Sequence, residues 1–150
     1  MNIFTVSLFG HRECEDLRYI ESQLRPIIEQ LLEDKSYVNF LIGRNGEFDE
    51  YAASVIKRAR KEIQADNSEL TLVIPYTLAD IEFYEKYYDD IIIPESLHGV
   101  HPKSAISAKN RWMVEQSDLI IVYVERESGG AFTAMKYAKK LGKRVVNLFE

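Results

Sequence analysis

Short apolar runs recur along the chain, and longer amphipathic stretches separate them. The runs are rich in Val, Ile, Leu and Phe, and several lack the strict alternation of a half-exposed strand. Near-continuous apolarity is typical of strands that are covered on both faces, as in a parallel sheet. The pattern therefore predicts six strands, at residues 3–9, 38–42, 70–74, 91–93, 119–124 and 145–149.

Between the runs, apolar residues recur at three- and four-residue spacing, which predicts amphipathic helices. The clearest stripe extends from Leu17 to Leu32, and Pro26 within it is expected to kink or divide the helix. Four further stripes lie at residues 48–63, 80–88, 105–113 and 131–141.

Strands alternate with helices along the whole chain, and this order predicts an α/β fold. We expect a Rossmann-like three-layer sandwich, in which a mostly parallel sheet of five to six strands has helices on both faces. No repeat, low-complexity segment or linker interrupts the pattern, so residues 1–150 are expected to form a single domain.

The composition is that of an ordinary soluble protein, with 46% hydrophobic and 29% charged residues. One Cys excludes a disulfide scaffold within the chain. No apolar run approaches the roughly 20 residues that span a bilayer, and the N-terminus lacks the features of a signal peptide. These observations predict a cytoplasmic protein that does not associate with a membrane.

The net charge of −5 argues against a general coat on nucleic acid, which depends on a cationic surface. It predicts that nucleic acid is not a partner. The charge is unevenly distributed, however, because Arg12, Arg44, Lys109 and Arg111 fall at or near the predicted ends of strands. Cations gathered at that edge predict a small anionic ligand in a local cationic pocket.

Ligands of open parallel sheets bind beyond the carboxyl ends of the strands, so the loops that follow the strands carry the candidate site. The candidate ligand-binding residues in and near these loops are Gly10, His11, Arg12, Gly46, Glu47, Tyr76, Arg111, Ser128, Gly129, Gly130, Ala131 and Thr133.

Gly129 and Gly130 directly precede a predicted helix. Two residues without Cβ allow a ligand to approach the backbone, and a helix N-terminus presents free N–H groups and partial positive charge to a phosphate. Ser128 and Thr133 add hydroxyl donors. A glycine pair before a helix also occurs as a plain tight turn, and the spacing alone does not separate the two interpretations.

Each candidate side chain also has a structural interpretation. Arg12 either neutralises a phosphate or pairs with Glu15, and His11 either donates to a phosphate or packs beneath its loop. Glu47 either contacts a sugar or caps a helix, and in an enzyme it is the candidate catalytic carboxylate at a glycosidic carbon. Tyr76 either stacks on a ligand ring or lies at a strand end without a ligand.

No metal site is predicted, because His98 and His101 have no third ligand at a recognisable spacing. No cofactor is predicted either.

Several motifs, taken in order, resemble the SLOG superfamily, which is named for Smf/DprA and the LOG cytokinin-activating proteins. The small YpsA-like bacterial members are the most similar. The resemblance covers nearly the whole chain, and the order and spacing of the motifs carry more weight than any one of them. The matching motifs are Gly10-His11-Arg12, Gly46-Glu47-Phe48-Asp49, Lys109-Asn110-Arg111-Trp112-Met113, Ser117 to Tyr123, and Ser128-Gly129-Gly130-Ala131.

This resemblance implies a Rossmann-like sheet that binds nucleotides or nucleotide-derived ligands at its glycine-rich edge. Some relatives hydrolyse the N-glycosidic bond of a nucleoside monophosphate through a Pro-Gly-Gly-x-Gly-Thr-x-x-Glu motif. Thr133 keeps its place here, but Ser128, Phe132 and Lys136 replace the Pro, the Gly after the pair and the Glu. DprA-like relatives bind single-stranded DNA, and self-association in the family implies a homo-oligomer, by default a homodimer.

Three hypotheses follow. The leading one is a domain that binds a nucleotide-derived small molecule, with phosphate at Gly129-Gly130. The second is a hydrolase of nucleotide N-glycosidic bonds that uses Glu47. The third is an interaction protein with a vestigial pocket, for which Tyr84, Tyr87 and Tyr88 are candidate anchors.

Overall fold

The computed structural model describes residues 2–149 as alternating strands and helices. The strands are β1 (Ile3–Gly10), β2 (Tyr37–Ile42), β3 (Ser68–Val73), β4 (Asp90–Ile92), β5 (Leu119–Tyr123) and β6 (Arg144–Asn147). The helices are α1 (Leu17–Asp34), α2 (Glu47–Glu62), α3 (Ile81–Tyr87), α4 (Pro102–Gln116) and α5 (Gly130–Lys140), with a short 3-10 helix at Glu95–Leu97. Within residues 2–149, no helix combines the length and apolarity needed to cross a bilayer.

The six strands form one sheet in the order β4-β3-β2-β1-β5-β6, and all five neighbouring pairs are parallel. The chain builds outward from β1 to β4, then crosses back to place β5 on the other side of β1. The predicted Rossmann-like α/β fold is therefore confirmed. The reversal puts a topological switch point between β1 and β5, where open α/β sheets bind ligands.

Alternate residues of each strand enter two separate hydrophobic cores. Val6 and Leu8 of β1 join the core that contains Leu24 of α1 and Ile56 of α2. The next residue, Phe9, points to the opposite core, which contains buried residues of α4 and α5. Period-two alternation thus divides the helices into two layers, and both faces of the sheet are covered.

Buried hydroxyls fix β1 against α4 and β5. Ser117 Oγ donates to the carbonyl oxygen of Met113 at 2.7 Å, and the Ser7 hydroxyl lies 2.6 Å from Ser117 Oγ and 3.1 Å from the same carbonyl oxygen. Asp118 Oδ2 also accepts the backbone N–H of Thr5 at 2.9 Å. Because these bonds join the sheet to the end of α4, they fix the position of that helix beside the switch point.

Helix α1 continues through Pro26, so the expected division of this helix does not occur. Pro26 lies on the exposed face of α1. A carbonyl that loses its helical partner there can bond to water, which lowers the cost of a proline inside a helix.

Phe48 of α2 packs directly over Gly10 at the end of β1. A Cβ at Gly10 would overlap the ring of the buried Phe48, which also stacks on Tyr123 of β5. The absence of a side chain at Gly10 therefore sets the distance between α2 and the sheet, and with it the rotation of α2 at its N-terminus.

We expect Gly10→Ala to lower the free energy of unfolding by about 1–3 kcal/mol, because it overpacks this contact. Urea unfolding measures the change. Gly130→Ala is the matched control, since a Cβ there meets only Asn110 Nδ2, at 3.7 Å. Equal effects of the two substitutions would contradict the packing role of Gly10.

Candidate functional site

A cleft of about 310 Å³ opens at the switch point between the carboxyl ends of β1 and β5. Its walls come from the loops after β1 and β2, the first turn of α2, the sheet-facing side of α4, and the N-terminus of α5. This is the location that the topology of the sheet predicts for a ligand.

Lys109 and Asp49 face each other across the base of the cleft. Lys109 is only 1% exposed and Asp49 6% exposed. A Cβ added at Gly43 would stand 2.6 Å from Lys109 Nζ and 3.2 Å from Asp49 Oδ2, so the glycine leaves the space between the two charges open. Within residues 2–149, no carboxylate oxygen lies within 4.0 Å of Lys109 Nζ.

Burial shifts the pKa values of these two groups towards neutrality. Burial lowers the pKa of Lys109 to about 8, and the nearby Asp49 carboxylate partly opposes that shift. Burial raises the pKa of Asp49 to about 6, opposed by the backbone N–H of Asn45, which donates to Oδ2 at 2.9 Å, and by Lys109. Near neutral pH both groups are charged, so the cleft presents a buried ammonium to a ligand.

The N-terminus of α5 forms the opposite wall. Gly129 adopts a φ of 93°, which favours glycine, and it has no side chain to cap the helix. The Thr133 hydroxyl donates to the Gly129 carbonyl at 3.0 Å, so it is used within the first turn. Gly129, Gly130 and Ala131 line the cleft, and the first N–H groups of a helix have no partner within it.

Asn110 lies beside this helix end. Its residue is 8% exposed, and its side-chain oxygen Oδ1 is buried without a hydrogen-bond partner among the described residues. Asn110 lines the cleft and faces Gly130. The side-chain atom nearest Gly130 is Nδ2, so Asn110 turns an N–H donor towards the helix end while Oδ1 is enclosed.

His11 packs beneath its loop, which is one of the two interpretations left open by the sequence. Its Nε2 accepts the backbone N–H of Glu125 at 3.0 Å, and its ring meets the edge of Tyr123. Burial, together with Arg126, lowers the pKa of His11. The neutral ring therefore carries its proton on Nδ1 and ties the end of β1 to the loop after β5.

The structure brings half of the predicted site residues together. Six of them line the cleft: Gly10, His11, Arg12, Gly129, Gly130 and Ala131. Arg111 and Thr133 line an adjoining groove between α4 and α5. Tyr76 is 49% exposed and lines a separate depression near Leu97, and Ser128 is exposed on the loop before α5.

Gly46 and Glu47 hold the loop after β1 instead of lining the cleft. Glu47 Oε1 accepts the backbone N–H of Cys14 at 2.9 Å, and the Glu47 N–H donates to the Arg12 carbonyl at 2.8 Å. A Cβ at Gly46 would overlap Arg12 Cα, so glycine is needed for this close approach. The geometry gives Glu47 a loop-fixing role and no contact with the cleft.

Asp49 and Asn110 are not among the predicted ligand-binding residues, and Lys109 was predicted only as a cation near the strand ends. A signal for Lys109 exists, however. Ala105 and Met113 lie four residues before and after it, and both are buried. A lysine on the sheet-facing side of a helix is a charge on a buried face, which is unusual enough to mark a site.

The fold has counterparts among solved structures, although no protein-family model matches the chain and no curated protein sequence matches it significantly. DNA processing protein A (DprA) from Streptococcus pneumoniae matches with a TM-score of 0.67 at 16% identity, over 95% of this chain and 49% of that one. The molybdenum cofactor binding protein from Rippkaea orientalis matches with a TM-score of 0.65 at 20% identity, over 100% and 78%. The chain shares the fold of these two proteins, as its resemblance to the SLOG superfamily predicted.

A third structure with this fold is DNA processing protein A from Helicobacter pylori, which is described as having a unique single-stranded DNA binding mode. It matches with a TM-score of 0.63 at 14% identity, over 95% of this chain and 63% of that one. The chain thus spans about half of the pneumococcal protein and less than two thirds of the Helicobacter protein. At these identities, the likeness shows a shared fold.

The expectation that nucleic acid is not a partner is wrong, because the SLOG fold binds single-stranded DNA in the Helicobacter protein. The inference failed because net charge is a sum over the whole molecule. It does not describe the carboxyl edge of the sheet, where Arg12, Lys109 and Arg126 surround one cleft. An excess of acidic residues elsewhere does not cancel a local positive field at short range.

We expect Lys109→Met to change how stability depends on pH. Between pH 8 and 10.5, the unfolded chain keeps the Lys109 proton and the folded protein has lost it, so the wild type gains stability as pH rises. The free energy of unfolding of the wild type, minus that of Lys109→Met, should increase by about 3 kcal/mol across this window.

Urea unfolding between pH 7.5 and 10 measures this difference. Lys140→Met removes an exposed lysine at the other end of α5 and serves as the control. A wild-type minus Lys109→Met difference that is flat with pH would show that the ammonium is not desolvated.

Proposed function

We propose that this protein binds a nucleotide or a nucleotide-derived small molecule in the cleft between β1 and β5. The observation that carries the proposal is the buried Lys109 ammonium, which faces an uncapped helix N-terminus across an open cleft. Burying this cation is unfavourable, the nearby Asp49 carboxylate offsets only part of the cost, and an anionic ligand would offset more of it.

The cleft offers three kinds of donor to the phosphate of the proposed ligand. The N–H groups of Gly130 and Ala131 supply the helix N-terminus, Lys109 supplies a buried charge, and Arg12 and Arg126 stand at the exposed rim. Free N–H groups together with the helix dipole favour phosphate at such a position.

The remaining polar groups favour a nucleotide over a free phosphate ion. Asp49 is a carboxylate in the same cleft, and its Oδ2 accepts the backbone N–H of Asn45. Its other acceptor positions call for further donors, and a phosphate dianion offers none. A ribose, with its hydroxyl groups, or a base, with its N–H groups, supplies them.

The ligands of the structural relatives support binding at this fold. The Rippkaea protein is a molybdenum cofactor binding protein, and the Helicobacter protein binds single-stranded DNA. These ligands differ greatly in size, so they support a ligand-binding edge without naming the ligand of this chain. The choice of a nucleotide rests on the chemistry of the cleft.

Hydrolysis of an N-glycosidic bond receives less support. The candidate carboxylate, Glu47, accepts the N–H of Cys14 outside the cleft.

A cytoplasmic location and a homodimer remain predictions from the sequence. Light scattering tests the prediction of a homodimer.

We expect nucleoside 5′-monophosphates to raise the melting temperature of the wild type. A ligand at fifty times its Kd adds about 2 kcal/mol to the free energy of unfolding, which corresponds to about 5 °C for a chain of this size. Thermal unfolding in the presence of AMP, GMP, CMP, UMP or inorganic phosphate, each at about 5 mM, measures the shift.

Lys109→Met should weaken the binding of the best nucleotide by roughly 10- to 100-fold, because it removes a charge-assisted hydrogen bond. Lys140→Met, with the same change of charge at the far end of α5, should bind like the wild type. The proposal fails if no member of the panel stabilises the wild type, or if Lys109→Met keeps the full shift.

A further inference from the structure

Two polar atoms at the base of the cleft are reachable from it and have no bond to the protein. Among residues 2–149, the side-chain atoms that are both fully enclosed and without a hydrogen-bond partner are Ser68 Oγ and Asn110 Oδ1. Lys109 Nζ and Asp49 Oδ1 also take part in no hydrogen bond within this range, but they are not enclosed. Both residues line the cleft. The small exposed fraction of each therefore includes a polar atom that a ligand can contact.

The distance between these two groups suits one bridging atom. The position of a Cβ on Gly43 lies 2.6 Å from Lys109 Nζ and 3.2 Å from Asp49 Oδ2, so the two atoms are no further apart than the sum of those distances. They are more than 4.0 Å apart, because no carboxylate oxygen among residues 2–149 forms an ion pair with Lys109. One oxygen that makes two hydrogen bonds of about 2.8 Å at a tetrahedral angle spans roughly 4.6 Å. A single oxygen atom therefore fits between the ammonium and the carboxylate.

The bridging atom must both accept and donate a hydrogen bond. The Lys109 ammonium only donates, and the Asp49 carboxylate only accepts. A phosphate oxygen accepts from the ammonium, but it offers no donor to the carboxylate and is repelled by its charge. A hydroxyl oxygen does both. The ammonium has three N–H groups, so a hydroxyl that accepts one of them leaves two for the phosphate.

The narrow access to these atoms favours a hydroxyl over the edge of a base. Some bases present an N–H donor beside an acceptor, but they do so on the edge of a flat ring, which needs a broad contact surface. Lys109 and Asp49 are more than nine-tenths buried, so only a small part of each is open to the cleft. A sugar hydroxyl projects as one atom and can enter where a ring edge cannot.

We propose that the gap between Lys109 and Asp49 is a subsite for a ribose hydroxyl of the nucleotide. The hydroxyl oxygen accepts an N–H of Lys109, and its O–H donates to the Asp49 carboxylate. Asp49 is then the residue that distinguishes a sugar with this hydroxyl from a sugar without it. This assignment rests on the proposed function and adds to it the part of the nucleotide that reaches the base of the cleft.

Titration calorimetry of the wild type with AMP and 2′,3′-dideoxy-AMP tests the assignment. We expect the dideoxy compound to bind roughly 10- to 100-fold more weakly, because it leaves the ammonium and the carboxylate without their shared partner. One of the two singly deoxygenated compounds, 2′-deoxy-AMP or 3′-deoxy-AMP, should show the same loss, because the gap holds a single hydroxyl.

A variant assigns this selectivity to Asp49. In Asp49→Asn, the amide oxygen remains the acceptor for the backbone N–H of Asn45, and the amide turns an N–H group towards the gap. The ratio of AMP affinity to dideoxy-AMP affinity should therefore fall close to one. Asp66→Asn, the same substitution at an exposed position before β3, should keep the wild-type ratio. The ratio is insensitive to a general loss of phosphate binding.

Failure of this assignment is distinguishable from failure of the proposed function. If AMP and dideoxy-AMP bind the wild type equally, the gap takes no ligand hydroxyl and the assignment is overturned, while nucleotide binding stands. If GMP and its dideoxy analogue bind equally well and both more tightly than AMP, a base edge occupies the gap, and the assignment is again wrong. If Asp49→Asn keeps the wild-type ratio, the selectivity does not come from Asp49. If no nucleotide binds, both proposals fail.

Discussion

The buried ammonium of Lys109 is the constraint around which the carboxyl edge of the sheet is arranged. A cation removed from water lowers the stability of the fold by several kcal/mol unless other charges and dipoles compensate. Here α4 is fixed against β1 by the hydroxyls of Ser7 and Ser117, so Lys109 cannot move out to solvent without breaking buried hydrogen bonds. The Asp49 carboxylate offsets part of the cost, and Gly43 keeps the space between them clear. An apolar residue at position 109 would cost less to bury, so the buried charge supports the proposal of an anionic ligand.

The fold was predictable because it depends on patterns that the chain carries locally. Continuous apolar runs indicated a parallel sheet, and the glycine-rich segments after β1 and β5 indicated the edge that binds ligands. The six predicted residues that line the cleft all come from these two segments. Backbone position at a strand end follows directly from the order of the strands, so little besides topology is needed to place Gly10 or Gly130.

The orientation of side chains on α2 was not predictable in the same way. Glu47 and Asp49 are two residues apart at the start of this helix, and they project in nearly opposite directions. Phe48 decides which of them enters the cleft, because it fills the space over Gly10 and thereby fixes the rotation of α2. Asp49 then faces Lys109, and Glu47 faces the loop at Cys14. The sequence showed a group of acidic residues after β2, but a tertiary contact selects the one that belongs to the site.

The glycines at the carboxyl edge of the sheet fall into two groups, according to what occupies the space beside them. Gly10 and Gly46 are required because another part of the chain occupies the space of a Cβ, whereas Gly129 and Gly130 have open space beside them. A glycine that touches the chain on all sides serves packing, and one that faces a cleft leaves room for something outside the chain. The sequence pattern does not distinguish a glycine that serves packing from one that faces a cleft. Open glycines next to a buried cation distinguish this edge from a set of tight turns. The local charge of the cleft is therefore more informative about its partner than the net charge of the protein.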